Sequence, residues 1–168
     1  TDSGITTERF VSRSSQENIM RVYRIRESAK LPHRAHPTDA GMDLFYCPNG
    51  KEVGRGITIH PGETRLVPTG IKVEVPDNHM LEIKNKSGIA FRQQLVVGAC
   101  VIDAGYDGEV YVNLHNIGSA VRRVEINQKV AQAVLVPIIT CGIEEMTEDC
   151  LNQKTERGSG GFGSTGLE

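Results

Sequence analysis

The chain has no tryptophan, and only 5% of its 168 residues are aromatic. A core so poor in rings must be built from Val, Ile and Leu. A basic surplus is missing too: 19 Lys and Arg stand against 21 Asp and Glu, a formal net charge of −2. That argues against a nucleic-acid coat. A polyanionic small molecule remains compatible, because local cations and backbone N–H groups bind one without a basic total. No long hydrophobic run exists. The longest apolar stretch, residues 130–139, is interrupted by Gln132 and Pro137 and is too short to span a bilayer, so no membrane partner is expected.

Other signatures are absent as well. No charged-then-apolar leader is seen, so no export is expected. None of Cys47, Cys100, Cys141 and Cys150 forms a Cys-x-x-Cys pair. They read as reduced thiols in a cytoplasmic setting, or a nuclear one for a eukaryotic or viral protein. His33 and His36 stand three apart with no further ligand spaced to complete a zinc site. Neither His-Glu-x-x-His nor Gly-x-Ser-x-Gly occurs.

What is present points to strands. Residues 71–75 alternate Ile71, Val73 and Val75 with Lys72 and Glu74, the period of a half-buried strand. Similar short runs fall at 22–25, 56–60, 66–67, 80–84, 95–102, 110–114, 121–126 and 129–139. Turn signals such as Pro61-Gly62, Pro68-Thr69-Gly70 and Pro76-Asp77-Asn78 separate them. No window carries a helical stripe, and residues 144–150 offer a turn of helix at most. The expected class is all-β, a jelly-roll-like arrangement. The expected organisation is a flexible tail or leader at 1–20, a β domain at 21–143, and a flexible arm at 144–168 ending in a glycine-rich stretch.

Five segments can carry chemistry, and each also has a plain structural reading. Asp39-Ala40-Gly41-Met42-Asp43-Leu44 is either a turn beside a buried Leu or a carboxylate holding the water shell of Mg²⁺. Asn85-Lys86-Ser87-Gly88-Ile89-Ala90 is an ordinary turn or a small anion nest of cation, hydroxyl and close backbone. Residues 98–110 read as a Gly-rich hairpin. Within it, Asp103 follows apolar residues and suits a partly buried general base, and Tyr106 suits a sugar face. Gln132 interrupts a buried strand and either bonds within the core or faces a ligand. The last, Arg157-Gly158-Ser159-Gly160-Gly161-Phe162-Gly163-Ser164-Thr165-Gly166, is a mobile terminus or a ligand-covering lid. It is not a Walker A loop, since no Lys-Ser or Lys-Thr follows its glycines.

In order and spacing, the five together resemble the motifs of the trimeric dUTP diphosphatase family, from Val22 to Gly166. Asp103 with Tyr106, and the Arg157 to Gly166 stretch, are the most specific parts. The resemblance implies a jelly-roll-like β barrel and a homotrimer. Its sites lie between subunits: the first, second and fourth segments come from one chain, the hairpin from a second, and the tail from the third. It implies hydrolysis of dUTP to dUMP and pyrophosphate with Mg²⁺. Asp103 would activate the water, and Asp43 would hold the metal through water. Lys86, Ser87, Gly88 and Gln132 would bind phosphate. Tyr106 would pack under the deoxyribose, and Cys100 and Tyr111 would frame the uracil. Arg157 would clamp the terminal phosphate, Phe162 would cover the base, and Gly163, Ser164 and Thr165 would complete the lid.

Two positions depart from the family pattern. Lys86 stands where arginine is usual, which loses a bidentate fork. Gly105 stands where an acidic residue is common. A dCTP deaminase resembles the same fold, but Asn113 occupies the position of its catalytic glutamate and cannot shuttle that proton. A regulatory role through a protein partner, by way of the N-terminal tail or residues 49–55, stays open.

Overall fold

A computed structural model describes residues 19–50 and 54–148. The alternating runs become strands: β1 (Arg21–Arg24), β2 (Gly41–Phe45), β3 (Ile57–Ile59), β4 (Thr64–Pro68), β5 (Ile71–Glu74) and β6 (His79–Lys84). A short helix α1 (Ser87–Gln93) follows. Then come β7 (Leu95–Val97), β8 (Val101–Asp103), β9 (Tyr111–Asn116), β10 (Arg122–Val124) and β11 (Lys129–Pro137). The class is all-β, as expected. All strand pairs are antiparallel.

The strands form a four-stranded sheet in the order β2-β11-β6-β8, a three-stranded sheet β4-β9-β7, and the pairs β1-β5 and β3-β10. Among the described residues these sheets do not join into one closed barrel, a correction to that part of the expectation. The core between them is aliphatic, as the missing aromatics require. Leu44, Ile59, Val67, Leu81, Val112, Leu114 and Val124 are all essentially sealed from solvent. Burying each such side chain contributes about 1.5–3 kcal/mol. Tyr46 is the one fully buried large aromatic among the described residues, and its hydroxyl donates to the Arg55 carbonyl at 3.1 Å.

Turn chemistry fixes the connections. Gly70 has φ 74°, and a Cβ there would lie 2.7 Å from the Ala29 methyl and 2.9 Å from Cys47 Sγ. Both the conformation and the space therefore demand glycine. Asn78 takes φ 59° in the turn before β6, a backbone state that asparagine tolerates.

Three further expectations are corrected. Residues 85–90 are not a plain turn, because α1 begins at Ser87. Seven residues make fewer than two turns, and none is buried, so no apolar stripe could announce the helix. Residues 41–45 form strand β2 and not a turn; its pattern is masked because Met42, Asp43 and Leu44 are buried in succession. The apolar run 95–102 is two strands in different sheets, and residues 98–110 are no paired hairpin: β8 pairs with β6, whereas β9 pairs with β4 and β7.

The tail at 1–18, the segment 51–53, Cys150 and the whole glycine-rich stretch lie outside the described residues. That includes Arg157, Phe162, Gly163, Ser164 and Thr165. Cys47, Cys100 and Cys141 are free thiols. Among the described residues no helix is long and apolar enough to cross a membrane.

Candidate active site

The four-stranded sheet brings three of the five segments together. Asp43 on β2 pairs in register with Gln132 on β11, so their side chains share one face. Gln132 is half-buried, and its amide Nε2 donates to the Asn85 carbonyl at 2.9 Å, tying β11 to the loop that leads into α1. Lys86, at the N-terminal boundary of α1, reaches back to Asp43 Oδ1 with its ammonium at 2.7 Å.

A second cation completes this corner. Lys129 Nζ stands 2.6 Å from Asp43 Oδ2. Sequence periodicity hides it, because Lys129 and Gln132 are three apart and should face opposite sides of a regular strand. A bulge between Lys129 and Ala131 breaks that alternation. Asp43 is only 4% exposed. Burial works to raise its carboxyl, but bonding and attraction to Lys129 and Lys86 offset this and hold it below the ordinary value.

The corner can serve an anion and leaves one carboxylate oxygen open. Asp43 was expected to hold the water shell of Mg²⁺; Lys86 is hydrogen-bonded to its Oδ1, and Lys129 lies at ion-pair distance from its buried Oδ2, which has no hydrogen-bond partner among the described residues. The three charges sum to +1, which attracts a phosphate. Among the described residues no group of three or more His, Cys, Asp or Glu could hold a metal. The corner has no direct ligand set for Mg²⁺ among the described residues, and the unpartnered Asp43 Oδ2 fits contact with the ion through a water. Ser87 and Gly88 open α1 beside Lys86, and both are exposed.

The residues of the 98–110 segment meet elsewhere, around a cavity of about 190 Å³. Cys100, Asp103, Tyr106 and Tyr111 all line it, together with Ile83, Glu109 and Val110. A cavity of about this size holds a six-membered ring. The Cys100 carbonyl accepts the Ile83 N–H at 2.7 Å, which fixes the cavity wall against β6. Tyr106 donates its hydroxyl to the Glu109 carbonyl at 3.0 Å. Burial pushes the Tyr111 phenol above its ordinary value, and the neighbouring Glu109 charge pushes it the same way. Asp103 was expected to be partly buried. It is exposed instead, because β8 is the edge strand of its sheet.

Within one protomer Asp103 and Gln132 stand apart along β6. On β6, Lys84 pairs with Gln132 and Met80 pairs with Asp103. Four residues of strand separate them, roughly 13 Å at about 3.3 Å per residue.

An all-β fold with a cationic corner and a ring-sized cavity has room for an anion and for a flat ring. The chain is a member of the dUTPase family, whose family model matches residues 27–166. It is 40% identical over 152 residues to the deoxyuridine 5'-triphosphate nucleotidohydrolase of Clostridium tetani (strain Massachusetts / E88), covering 89% of this chain and 98% of that relative. Among solved structures it is similar to the Staphylococcus bacteriophage 80alpha dUTPase with dUPNHPP. The TM-score is 0.79 and the identity 26%, over 90% of this chain and 100% of the other. It is also similar to a mutant dUTPase from phage phi11 of S. aureus, described as revealing the coordination of a structural Mg(II) ion. There the TM-score is 0.69 and the identity 25%, over 78% of this chain and 98% of the other.

Proposed function

We propose that this chain hydrolyses dUTP to dUMP and pyrophosphate, with water attacking the α-phosphorus. The observation that carries the reading is the cavity framed by Cys100, Asp103, Tyr106 and Tyr111, in a chain whose match to the dUTPase family runs over residues 27–166. In this reading the uracil ring enters the cavity. The Tyr106 ring packs under the deoxyribose and leaves no room for a 2′-hydroxyl. Asp103 takes a proton from the attacking water, and its exposure in the lone protomer leaves it open to substrate.

Phosphoryl transfer asks mainly for positioning and charge neutralisation. Lys86, Ser87, Gly88 and Gln132 supply donors for phosphate oxygens. Lys129 joins them, since it shares Asp43 with Lys86. Asp43 orients both ammonium groups toward the substrate. Asp43 would hold Mg²⁺ through a water, and the ion would neutralise charge on the triphosphate.

The active unit is a homotrimer with sites between subunits. The match to the dUTPase family over residues 27–166 supports this reading. Arg157, Phe162, Gly163, Ser164 and Thr165 would close the site from the C-terminal arm, with Arg157 on the terminal phosphate and Phe162 over the base.

The test is pyrophosphate release from dUTP, with dTTP, dCTP and UTP as controls. Fast, selective cleavage of dUTP is expected. Equal cleavage of UTP would overturn the role given to Tyr106, and ammonia release from dCTP would overturn the reaction class.

A further inference from the structure

One largely buried ion pair of this protomer stands beside the cavity, where Glu109 lines the wall next to Tyr111. Arg26, in the turn after β1, donates through Nη1 to Glu109 Oε2 at 3.2 Å and through Nη2 to Glu109 Oε1. The two side chains are only 22% and 12% exposed. Arg26 Nη2 also donates to the Cys47 carbonyl at 3.1 Å, and Nε approaches Cys47 Sγ at 3.5 Å. Glu109 Oε1 accepts the Gly70 N–H as well, at 2.8 Å. One carboxylate is thereby fixed by donors from two distant segments. A forked guanidinium holds such a group in a single orientation, which a point charge does not.

The same residue also carries the link to Tyr106. The Glu109 carbonyl accepts the Tyr106 hydroxyl at 3.0 Å. The next residue is sealed on both sides: Val110 N–H donates to the Ile71 carbonyl at 2.9 Å, and its own carbonyl accepts the buried Thr69 hydroxyl at 2.6 Å. Tyr106 is 46% exposed, so packing alone does not hold its ring, and the hydroxyl bond to Glu109 supplies the missing restraint. A continuous series of contacts therefore runs from Arg26 through Glu109 to the ring that lines the cavity.

We propose that the Arg26–Glu109 fork is a positioning device for Tyr106, and that it sets how strongly the enzyme prefers a deoxyribose to a ribose. This rests on the reading that Tyr106 packs under the sugar. Arg26 and Glu109 touch no reacting atom; they act through the ring. If the fork is lost, the peptide of the Glu109 carbonyl keeps the Val110 N–H bond to Ile71 but loses the side-chain anchor beside it, the ring gains freedom, and a 2′-hydroxyl finds room.

The experiment measures kcat/KM for dUTP and for UTP in the full chain and in R26A, E109A, R26K and Y106F. Y106F cuts the hydroxyl–carbonyl bond without touching the fork or the core. R26K keeps the charge and loses the fork, so it serves if an alanine variant does not fold. The dUTP/UTP ratio is expected to fall at least fivefold in every variant that folds. R26A/Y106F is expected to fall no further than Y106F alone, since both cut the same series of contacts. A merely structural ion pair would lower thermal stability and leave the ratio where it was, and that result overturns the proposal. Amide hydrogen exchange at residues 104–108 reads the same device without turnover. Faster exchange in R26K and R26A is expected, and unchanged exchange overturns the proposal even if the wild-type chain hydrolyses no dUTP. Absence of dUTP cleavage by the wild type, with faster exchange in the variants, removes the functional reading and leaves the device standing.

Discussion

Gly41 and Gln132 face each other so closely that a Cβ on Gly41 would stand 2.1 Å from Gln132 Oε1. The glycine on β2 is there to admit the amide on β11, which in turn holds the loop before α1 through the Asn85 carbonyl. Gly41→Ala is expected to push Gln132 aside. Overpacking of this kind costs about 1–3 kcal/mol, and a lost hydrogen bond adds roughly 1 kcal/mol. Denaturant unfolding checks the stability. A raised KM for the nucleotide checks that the loop carrying Lys86 has moved.

Asp43 gives a prediction with a sign. Its folded carboxyl lies below the ordinary value of 3.8, so the folded state holds its proton less tightly than the unfolded chain. The stability it contributes is complete above that ordinary value and is lost as the pH falls through the lower folded one. Asp43→Asn removes this acid-range dependence and leaves Lys86 and Lys129 facing each other. The loss is expected to be about 1–3 kcal/mol at neutral pH, less than the ~3–5 kcal/mol of a fully buried pair, because both lysines remain partly exposed. Unfolding curves from neutral to acid pH measure it. Parallel curves for wild type and variant would contradict the assignment.

Gly108 protects the Tyr106 ring. A Cβ there would lie 2.1 Å from the phenol oxygen and 2.3 Å from Cζ. Gly108→Ala should displace the ring with little loss of stability, because Tyr106 is half exposed and can swing away. Steady-state kinetics should show a larger effect on dUTP turnover than thermal melting shows on the fold.

The glycine-rich arm can be tested by removal. Ending the chain before Arg157 is expected to lower turnover at least tenfold, while the melting temperature of the β domain stays within a few degrees. Full activity in the shortened chain would remove the lid role from Arg157 and Phe162.

Much of the fold was legible because strands with one face buried alternate. Residues 71–75 and 110–114 announce β5 and β9 in this way, and Gly70 and Asn78 mark their turns. β2 was not legible, because three consecutive buried residues erase the alternation. Nor was α1, too short and too exposed to show a stripe. In the site, Asp43, Lys86 and Gln132 were found as separate segments that the structure brings together. Lys129 was missed because its position depends on a bulge, which no two-residue period can announce. Asp103 is more exposed than its three apolar predecessors suggest, because β8 lies at a sheet edge. Arg26 and Glu109 carry no local pattern at all. They stand 83 positions apart in sequence and meet only in the folded chain.

The central claim is water attack on the α-phosphorus of dUTP with Asp103 as the base. The most direct measurement is hydrolysis of dUTP in ¹⁸O-water by the wild type and by Asp103→Asn. The account predicts one ¹⁸O in dUMP, none in pyrophosphate, and a rate for the variant lower by at least ~10²-fold. Label in the pyrophosphate, or an Asp103→Asn variant that turns over at the wild-type rate, would contradict it.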